Sequence, residues 1–377
     1  MISADLIRRL ACPVCLEPAG CSGCWRPAQD HNDCLSHYAG RAGCACGGPD
    51  KVALLAQGDS LVCPCCRVAY PLRSDGGYVD LVPRTSLGEV TQYADHEFHE
   101  RLEVKDAPPL LSARVKADMM RRMLGLGSGE EVLDLGCGAG KFALYAGANG
   151  RASGVDVAPF FLPRAVALVD LVLGDLRRLP FRKGVFPRAY SLDVFEHLDE
   201  EGVREILLEA RRTLAADGRL FVYTHAMESS RLAGFQRLVN RLAKRLGRVG
   251  LVDHEREALR KSDHRNAIRS HEHFEALAAG AGLELVERRY YNVVLKAVIE
   301  DLLLRMVEQW RRRRSAGGSA LPDQAGDRQA IGAPPPGRLA LRAAQALSWL
   351  LKLDVVLFGG IRTGPFFGLL RPRLRPR

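Results

Sequence analysis

The sequence has no long stretch free of charge and no segment that resembles an export signal. A membrane-spanning helix needs about 20 consecutive apolar residues, and the nearest candidate, 339–358, is interrupted by Arg342, Lys352 and Asp354. The opening MISADLIRRLACPVC has no apolar core followed by a small-residue cleavage site. These absences predict a cytoplasmic protein with reduced thiols. Peripheral contact with a membrane is an alternative, because the net charge of +10 favours anionic partners.

Cysteine is nearly absent from most of the chain but dense at its start. Ten of the eleven cysteines lie between Cys12 and Cys66, and Cys137 stands alone. The chain of 377 residues has room for two domains. We therefore expect residues 1–83 to form a small separate unit, which could hardly fill a core without a metal ion.

Two pairs of cysteines in this unit share the pattern Cys-Pro-x-Cys. Four sulfur ligands arranged in this way suit a tetrahedral Zn(II) ion, and the pairs are Cys12 with Cys15 and Cys63 with Cys66. The stretch between the pairs has further candidate ligands for a second zinc, which could equally be spare residues of a loop: Cys21, Cys24, Cys34, His37, Cys44 and Cys46.

From residue 130 onward, short apolar runs alternate with helical patterns. Strand patterns occur at 131–135, 152–156, 168–175, 189–194, 219–224 and 365–370, with a helix expected over 200–214. Alternation of this kind predicts an α/β domain whose mostly parallel sheet carries helices on both faces. Pro159 and Pro163 leave room for only a turn or two of helix after the second strand.

The first of these strands runs into a glycine-rich loop, Asp134-Leu-Gly-Cys-Gly-Ala-Gly140. The glycines allow a tight turn and a close approach of a ligand to the backbone. Asp156 follows about 20 positions later, where an acidic residue binds ribose hydroxyls in dinucleotide folds. Asp134 would repel a pyrophosphate, so the loop suits a ligand that carries cationic groups.

This loop resembles the first motif of class I S-adenosylmethionine-dependent methyltransferases, and similar motifs continue through about 130–226 and 270–291. The resemblance implies a Rossmann-like, seven-stranded sheet and S-adenosylmethionine as cofactor. It further implies that the adenine meets the Asp175 side chain and the Leu176 backbone. The full set of expected cofactor contacts is Asp134, Gly136, Cys137, Gly138, Gly140, Asp156, Val157, Asp175, Leu176 and Asp193.

The N-terminal unit resembles the short zinc-ribbon domain that is fused to, or partners, many methyltransferases. It also resembles the zinc finger of a bacterial rRNA guanine methyltransferase family, in which the second cysteine pair precedes a Gly-Tyr-Val turn, as at 77–79 here. The resemblance covers 9–83 apart from the loop between the cysteine pairs.

The remaining segments give the predicted domain boundaries. A connecting helical segment spans 84–129, the methyltransferase core spans 130–291 with an insertion at 227–266, and a helical insertion spans 292–363. The Gly/Pro-rich stretch 315–337 is expected to be a disordered linker, and 364–377 to be a closing strand with a basic tail. The helices of the insertions form either a lid over the cleft or a basic face for an anionic membrane.

Methyl transfer needs a general base when the acceptor atom carries a proton. His197 and His225 follow the fourth and fifth strands, where the acceptor should lie, and His254 and His264 could reach in from the insertion. No Asn/Asp-Pro-Pro-Tyr/Phe motif follows the fourth strand, which argues against DNA as substrate. We expect a small-molecule or lipid-like acceptor. The alternatives are an rRNA guanine methyltransferase guided by the zinc ribbon and an inactive regulator that binds the cofactor.

Overall fold

The computed structural model describes residues 3–16, 51–72, 77–82, 106–127, 129–147, 150–248, 264–265, 267–307 and 338–373. Several predicted features lie outside these ranges. They are the loop with the second set of zinc ligands (21–46), His254, the linker 315–337 and the last residues of the basic tail.

The N-terminal unit contains a helix and two small antiparallel sheets. Helix α1 (Ala4–Arg9) precedes β1 (Ala11–Leu16), which pairs with β2 (Lys51–Ala53). Strands β3 (Leu55–Gln57), β4 (Ser60–Val62) and β5 (Ala69–Pro71) form a three-stranded meander.

A large sheet forms the core of the protein. Its strands, in chain order, are β6 (Tyr78–Asp80), β7 (Glu131–Leu135), β8 (Arg151–Asp156), β9 (Asp170–Leu173), β10 (Phe186–Leu192), β11 (Leu214–His225), β12 (Leu283–Tyr290) and β13 (Pro365–Pro372). In space the order is β12-β13-β11-β10-β7-β8-β9-β6. Only β13 runs antiparallel to its neighbours, β11 and β12, so the mostly parallel sheet is confirmed.

The sheet has eight strands, one more than predicted. The extra strand is β6, which the sequence placed within the zinc unit and which pairs in parallel with β9. The backbone of the N-terminal unit therefore extends the core sheet at its edge.

Helices cover both faces of the sheet, as predicted. The described helices after the N-terminal unit are α2 (Ser112–Leu124), α3 (Lys141–Ala146), α4 (Pro163–Leu168), α5 (Glu200–Thr213), α6 (Ala233–Arg248), α7 (His271–Gly280), α8 (Val294–Val298) and α9 (Arg338–Phe358). One face packs on α5, α7 and the N-terminal unit, and the other on α2, α3, α4 and α9. Helix α4 has six residues, in agreement with the short helix predicted there.

The two insertions form a layer of helices beside α2. Helix α8 continues as a π-helical segment, Ile299–Leu304, and contacts both α6 and α9. Ala243 of α6 packs against Leu302 of the π-helical segment. Among the described residues, no helix is long and apolar enough to cross a membrane.

A buried ion cluster joins the N-terminal unit to the core. Lys51 Nζ lies 2.9 Å from Glu209 Oε2 on α5 and also donates to the carbonyl of Leu179 at 3.1 Å. Arg212 Nε donates to the other Glu209 oxygen at 2.8 Å. Burial lowers the pKa of Lys51 to about 8. Burial opposes ionisation of Glu209, but the charges of Arg212 and Lys51 prevail and lower its pKa to about 2.

Replacing Glu209 by alanine should destabilise the fold strongly, because it leaves Lys51 and Arg212 buried without their carboxylate. Breaking a buried ion pair in this way costs about 3–5 kcal/mol. The free energy of unfolding in urea, followed by circular dichroism, measures the loss. Glu201→Ala is the matched control on the same helix, because the Glu201–Arg204 pair is exposed and such pairs contribute about 1 kcal/mol or less. Equal effects of the two substitutions would contradict the assignment.

Candidate active site

The glycine loop turns at the carboxyl end of β7. Gly136 has φ +82°, and a Cβ there would lie 2.5 Å from Val194 Cγ2, so the position requires glycine. A Cβ on Gly140 would lie 2.6 Å from the Cβ of Ala165 on α4. Gly138 has φ +51°, but a Cβ there would meet nothing within 4 Å. The loop is thus closed against the core at both ends and opens onto free space in its middle, as a cofactor cradle requires.

The Cys137 side chain turns away from this cradle. It is buried, and a Cβ on Gly154 would lie 2.9 Å from its sulfur. Burial raises the pKa of the Cys137 thiol well above its ordinary value. The structure therefore gives this side chain a packing position, and the cofactor contact of Cys137 stays a prediction.

Asp156 ends β8 and ties that strand to the glycine loop. Its Oδ2 accepts from the Gly138 backbone N–H at 2.7 Å, and its Oδ1 accepts from the Ala158 N–H at 3.1 Å. Val157, the next residue along the chain, is half-buried. The structure thus places Asp156 beside the cradle, where the ribose contact was predicted.

Asp134 lies beneath the loop and is almost fully buried. The Tyr190 hydroxyl of β10 donates to its Oδ2 at 2.7 Å. Burial, together with the nearby Asp156 carboxylate, raises the pKa of Asp134 to about 8, although the Tyr190 hydrogen bond opposes the shift. A cation bound in the cradle would favour the ionised form of this group.

Asp175 follows β9 and begins a short 3₁₀ turn. Its Oδ1 accepts from the Arg177 N–H at 2.9 Å, and its Oδ2 lies 2.9 Å from the Arg177 guanidinium. The predicted adenine contact of Asp175 therefore competes with this local ion pair. Leu176 Cδ1 lies 3.6 Å from where a Gly136 Cβ would be, so Leu176 does adjoin the loop.

Asp193 follows β10 and is paired with a lysine from the segment before the core. Lys116 Nζ, on α2, lies 2.7 and 2.6 Å from the two Asp193 oxygens and 4.2 Å from the centre of the Tyr223 ring. Asp193 has φ +55°, a strained backbone conformation of the kind that clusters at functional sites. The structure thus places Asp193 in an ion pair with Lys116, and its cofactor contact stays a prediction.

His225 ends β11 and lies against a buried carboxylate. Its Nδ1 is 3.4 Å from Glu196 Oε1, and its Nε2 is 3.4 Å from the Tyr223 hydroxyl. The other Glu196 oxygen accepts from the Thr224 hydroxyl at 3.1 Å. Burial opposes ionisation of Glu196, but the interaction with His225 prevails and lowers its pKa to about 2. His225 Nδ1 thus lies beside an ionised carboxylate without the geometry of a hydrogen bond, and a histidine at this edge of the sheet can act as a general base.

His197, the other predicted base, groups with Glu196 and His264 rather than with His225. Its ring packs edge-on against His264, with the ring centres 4.8 Å apart. Ligand atoms of Glu196, His197 and His264 lie within 4.8 Å of one another, and so do those of Asp193, Glu196 and His225. These side chains could hold a divalent cation as well as a proton.

Three residues of this site were not predicted from the sequence. Glu196 carried a signal, because it stands directly before His197 in the Glu-His-Leu motif. Lys116 and Tyr223 carried none, since a lysine on an amphipathic helix and a tyrosine in a strand are usual there. Only the packing of α2 over β11 shows their position.

The four cysteines predicted to bind zinc come together in the N-terminal unit. The sulfurs of Cys12, Cys15, Cys63 and Cys66 lie within 4.8 Å of one another, and those of Cys12 and Cys66 are 3.8 Å apart. Four sulfurs at about 2.3 Å from one zinc ion would be separated by about 3.8 Å. The donor set and its spacing therefore fit Zn(II).

Residues 133–222 match the family model described as a methyltransferase domain, which confirms the class of domain predicted from the glycine loop and the strand ends. A curated relative, an uncharacterized 37.1 kDa protein in transposon TN4556 of Streptomyces fradiae, is 32% identical over 119 residues. The match covers 29% of this chain and 34% of that protein.

Similar solved structures include phosphoethanolamine N-methyltransferase 2 of Haemonchus contortus in complex with S-adenosyl-L-methionine. It is 16% identical, with a TM-score of 0.44, over 81% of this chain and 62% of that one. A putative sarcosine dimethylglycine methyltransferase from Galdieria sulphuraria is 13% identical, with a TM-score of 0.42, over 75% of this chain and 99% of that one. The chain thus spans about a third of its curated relative and less than two thirds of the Haemonchus protein.

Asp156→Ala should weaken binding of S-adenosylhomocysteine, because the substitution removes a carboxylate predicted to accept from ribose hydroxyls. Leaving such hydroxyls unpaired costs about 1–3 kcal/mol, which corresponds to roughly 5- to 150-fold in the dissociation constant. Isothermal titration calorimetry measures the change.

Asp217→Ala provides the matched control, since Asp217 is an exposed aspartate at the start of β11, away from the loop. This variant should bind as the wild type does. Unchanged affinity in Asp156→Ala would remove Asp156 from the cofactor site.

Proposed function

Residues 133–222 are a methyltransferase domain, and on that premise we propose that the protein transfers a methyl group from S-adenosylmethionine to a small-molecule or lipid-like acceptor. The observation that carries the proposal is the pairing of His225 with Glu196 at the carboxyl end of β11. Ligands of open α/β sheets bind at this edge. The glycine cradle and a candidate base therefore adjoin one another.

The cofactor site is supported by the chemistry of its residues. Bound in the cradle, S-adenosylmethionine would supply an electrophilic methyl group on a cationic sulfonium. Asp156 would accept from the ribose, and Leu176 would line the adenine. Asp134, held by Tyr190, would place a carboxylate near the cationic end of the ligand.

The acceptor side is supported by the groups around His225. If the acceptor atom carries a proton, His225 would take that proton as the new bond forms, with a Glu196 oxygen 3.4 Å from its Nδ1. Lys116 and Asp193 lie across from it, near the Tyr223 ring. A small polar acceptor would meet the His225 imidazole and this charged pair together, because ligand atoms of Asp193 and His225 lie within 4.8 Å of one another.

The acceptor class is tested by incubating the protein with methyl-labelled S-adenosylmethionine and, separately, with lipid, small-metabolite and RNA extracts. We expect label in the lipid or small-metabolite fraction. Label in RNA would instead favour an rRNA methyltransferase, and absence of transfer in all three would favour a regulator that only binds the cofactor. Either result would overturn the proposal.

His225→Gln should lower kcat by about 10²- to 10⁴-fold on the acceptor fraction, because it removes the base but keeps a polar side chain of similar length. Binding of S-adenosylhomocysteine and the melting temperature should stay close to those of the wild type. His273→Gln is the matched control, since His273 lies on α7 beside Glu200, away from β11. A wild-type rate in His225→Gln would show that His225 is not the base.

We further propose that Cys12, Cys15, Cys63 and Cys66 hold one Zn(II) ion that stabilises the N-terminal unit. Purified, reduced protein should contain at least one zinc per chain by elemental analysis. A second zinc per chain would indicate another site, either among the cysteines between the two pairs or among the side chains around Glu196.

The turn that carries the second pair offers a matched control within itself. Cys66→Ser should lose the ion, because Cys66 is a member of the cluster, whereas Cys65→Ser should retain it, because Cys65 is exposed and outside the cluster. Absence of metal from the wild type, or equal metal content in the two variants, would refute the site.

A further inference from the structure

Helix α9 buries Ser348, Leu351 and Asp354 against the protein and leaves several large apolar side chains exposed. Ser348 is buried and accepts from the Leu111 N–H at 2.8 Å. Asp354 is fully buried and accepts from the N–H groups of Leu295 and Lys296 at 2.8 and 3.1 Å. Trp349, by contrast, is 70% exposed. The other exposed apolar residues of the helix are Leu339, Leu350, Leu353, Val356 and Leu357.

These exposed side chains lie on one side of the helix. With 100° between successive residues, Trp349, Leu353 and Val356 fall within a narrow arc, and the exposed Arg342 falls in the same arc. Exposed apolar patches of this extent on a soluble protein mark an interaction surface.

Helix α6 adds a second apolar and basic face to the same layer. Val239 and Ala243 face the protein, while Leu238 is 60% exposed and Phe235 and Leu242 are also exposed. The same helix carries three exposed arginines: Arg237, Arg241 and Arg245. Helix α8 contacts both α6 and α9, and the exposed outer residues of α6 and α9 are here called the cap surface.

The cap surface carries positive charge without acidic residues. Helix α6 has no Asp or Glu, and the one acidic residue of α9, Asp354, is buried. Two copies of this surface would bring their arginines together, which opposes self-association. Neither helix can cross a bilayer. An amphipathic helix with exposed Leu, Trp and Arg instead suits the boundary between lipid headgroups and acyl chains.

We propose that the cap surface docks the protein onto an anionic lipid membrane. The apolar side chains of α9 and α6 would enter the headgroup region, and the arginines of α6 would contact lipid phosphates. The inference does not depend on the proposed methyl transfer, because docking needs neither cofactor nor acceptor.

The probe is sedimentation of the full chain with vesicles of phosphatidylcholine alone or of phosphatidylcholine with phosphatidylglycerol. We expect binding to the anionic vesicles and release by added salt, because screening shortens the reach of surface charges. Trp349→Gln combined with Val356→Gln should weaken binding by removing apolar contact. Arg237→Gln, Arg241→Gln and Arg245→Gln together should weaken it by on the order of 100-fold, since each arginine contributes a factor of about five.

The matched controls lie on α4, which packs against α3 and β9 and away from the cap surface. Leu168→Gln and Arg164→Gln change an exposed leucine and an exposed arginine there, and both should bind vesicles as the wild type does. Circular dichroism and binding of S-adenosylhomocysteine verify that each variant is folded.

Three outcomes would overturn the proposal. They are absence of binding to anionic vesicles at low salt, equal binding to neutral vesicles, and cap variants that sediment like the wild type. A dimer in size-exclusion chromatography that Trp349→Gln dissociates, without vesicle binding, would identify a second copy of the chain as the occupant. None of these outcomes requires loss of methyl transfer, and loss of methyl transfer alone would leave vesicle binding unchanged. The two proposals therefore fail separately.

Discussion

Parallel pairing of the central strands determines where each polar group of the candidate site lies. Leu135 of β7 pairs with Val155 of β8, and Leu192 of β10 pairs with Tyr223 of β11. Parallel strands end at the same edge of a sheet, so the residues that follow them meet there. The glycine loop, Asp156, Asp193 and His225 are brought together by this register, although they are far apart in sequence.

The two buried carboxylates of the site show how partners decide charge. Asp134 and Glu196 are both almost fully buried, and burial opposes the ionisation of each. Asp134 accepts from a neutral tyrosine, and its pKa is raised to about 8. Glu196 faces His225, and its pKa is lowered to about 2. One site thus offers a carboxylate that a bound cation would ionise and a second that is already ionised to support a base.

Much of this architecture follows from local sequence patterns. Apolar strand runs, the positive-φ glycines and the short helix after Pro163 depend on nearby residues, and the structure has each of them where the sequence predicts. The Cys-Pro-x-Cys pairs likewise predict a four-sulfur cluster. The eighth strand could not be predicted, because the three residues of β6 give no periodicity that assigns them to one sheet rather than another.

The ion-pair partners of the site residues were not predicted from the sequence either. The pairing of Asp193 with Lys116 joins residues from separate segments, and only the packing of α2 over the sheet produces it. Asp175 differs, since its partner Arg177 is two residues away. That ion pair could have been considered from the sequence, but the resemblance to a known motif favoured a ligand contact.

The sequence of α9 does not determine which face of the helix packs against the protein. An apolar stripe predicts an amphipathic helix, but it does not say which face turns inward, and here Asp354 turns inward because it caps the amino end of α8. Leu351 and Val355 turn inward with Asp354, and the side that carries Trp349 and Val356 faces solvent. Helices α9 and α2 cover one face of the sheet, while the cysteine-rich unit packs on the other. A surface that meets lipid through α9 would therefore leave the cysteine-rich unit on the opposite face of the sheet, where it could contact a different partner.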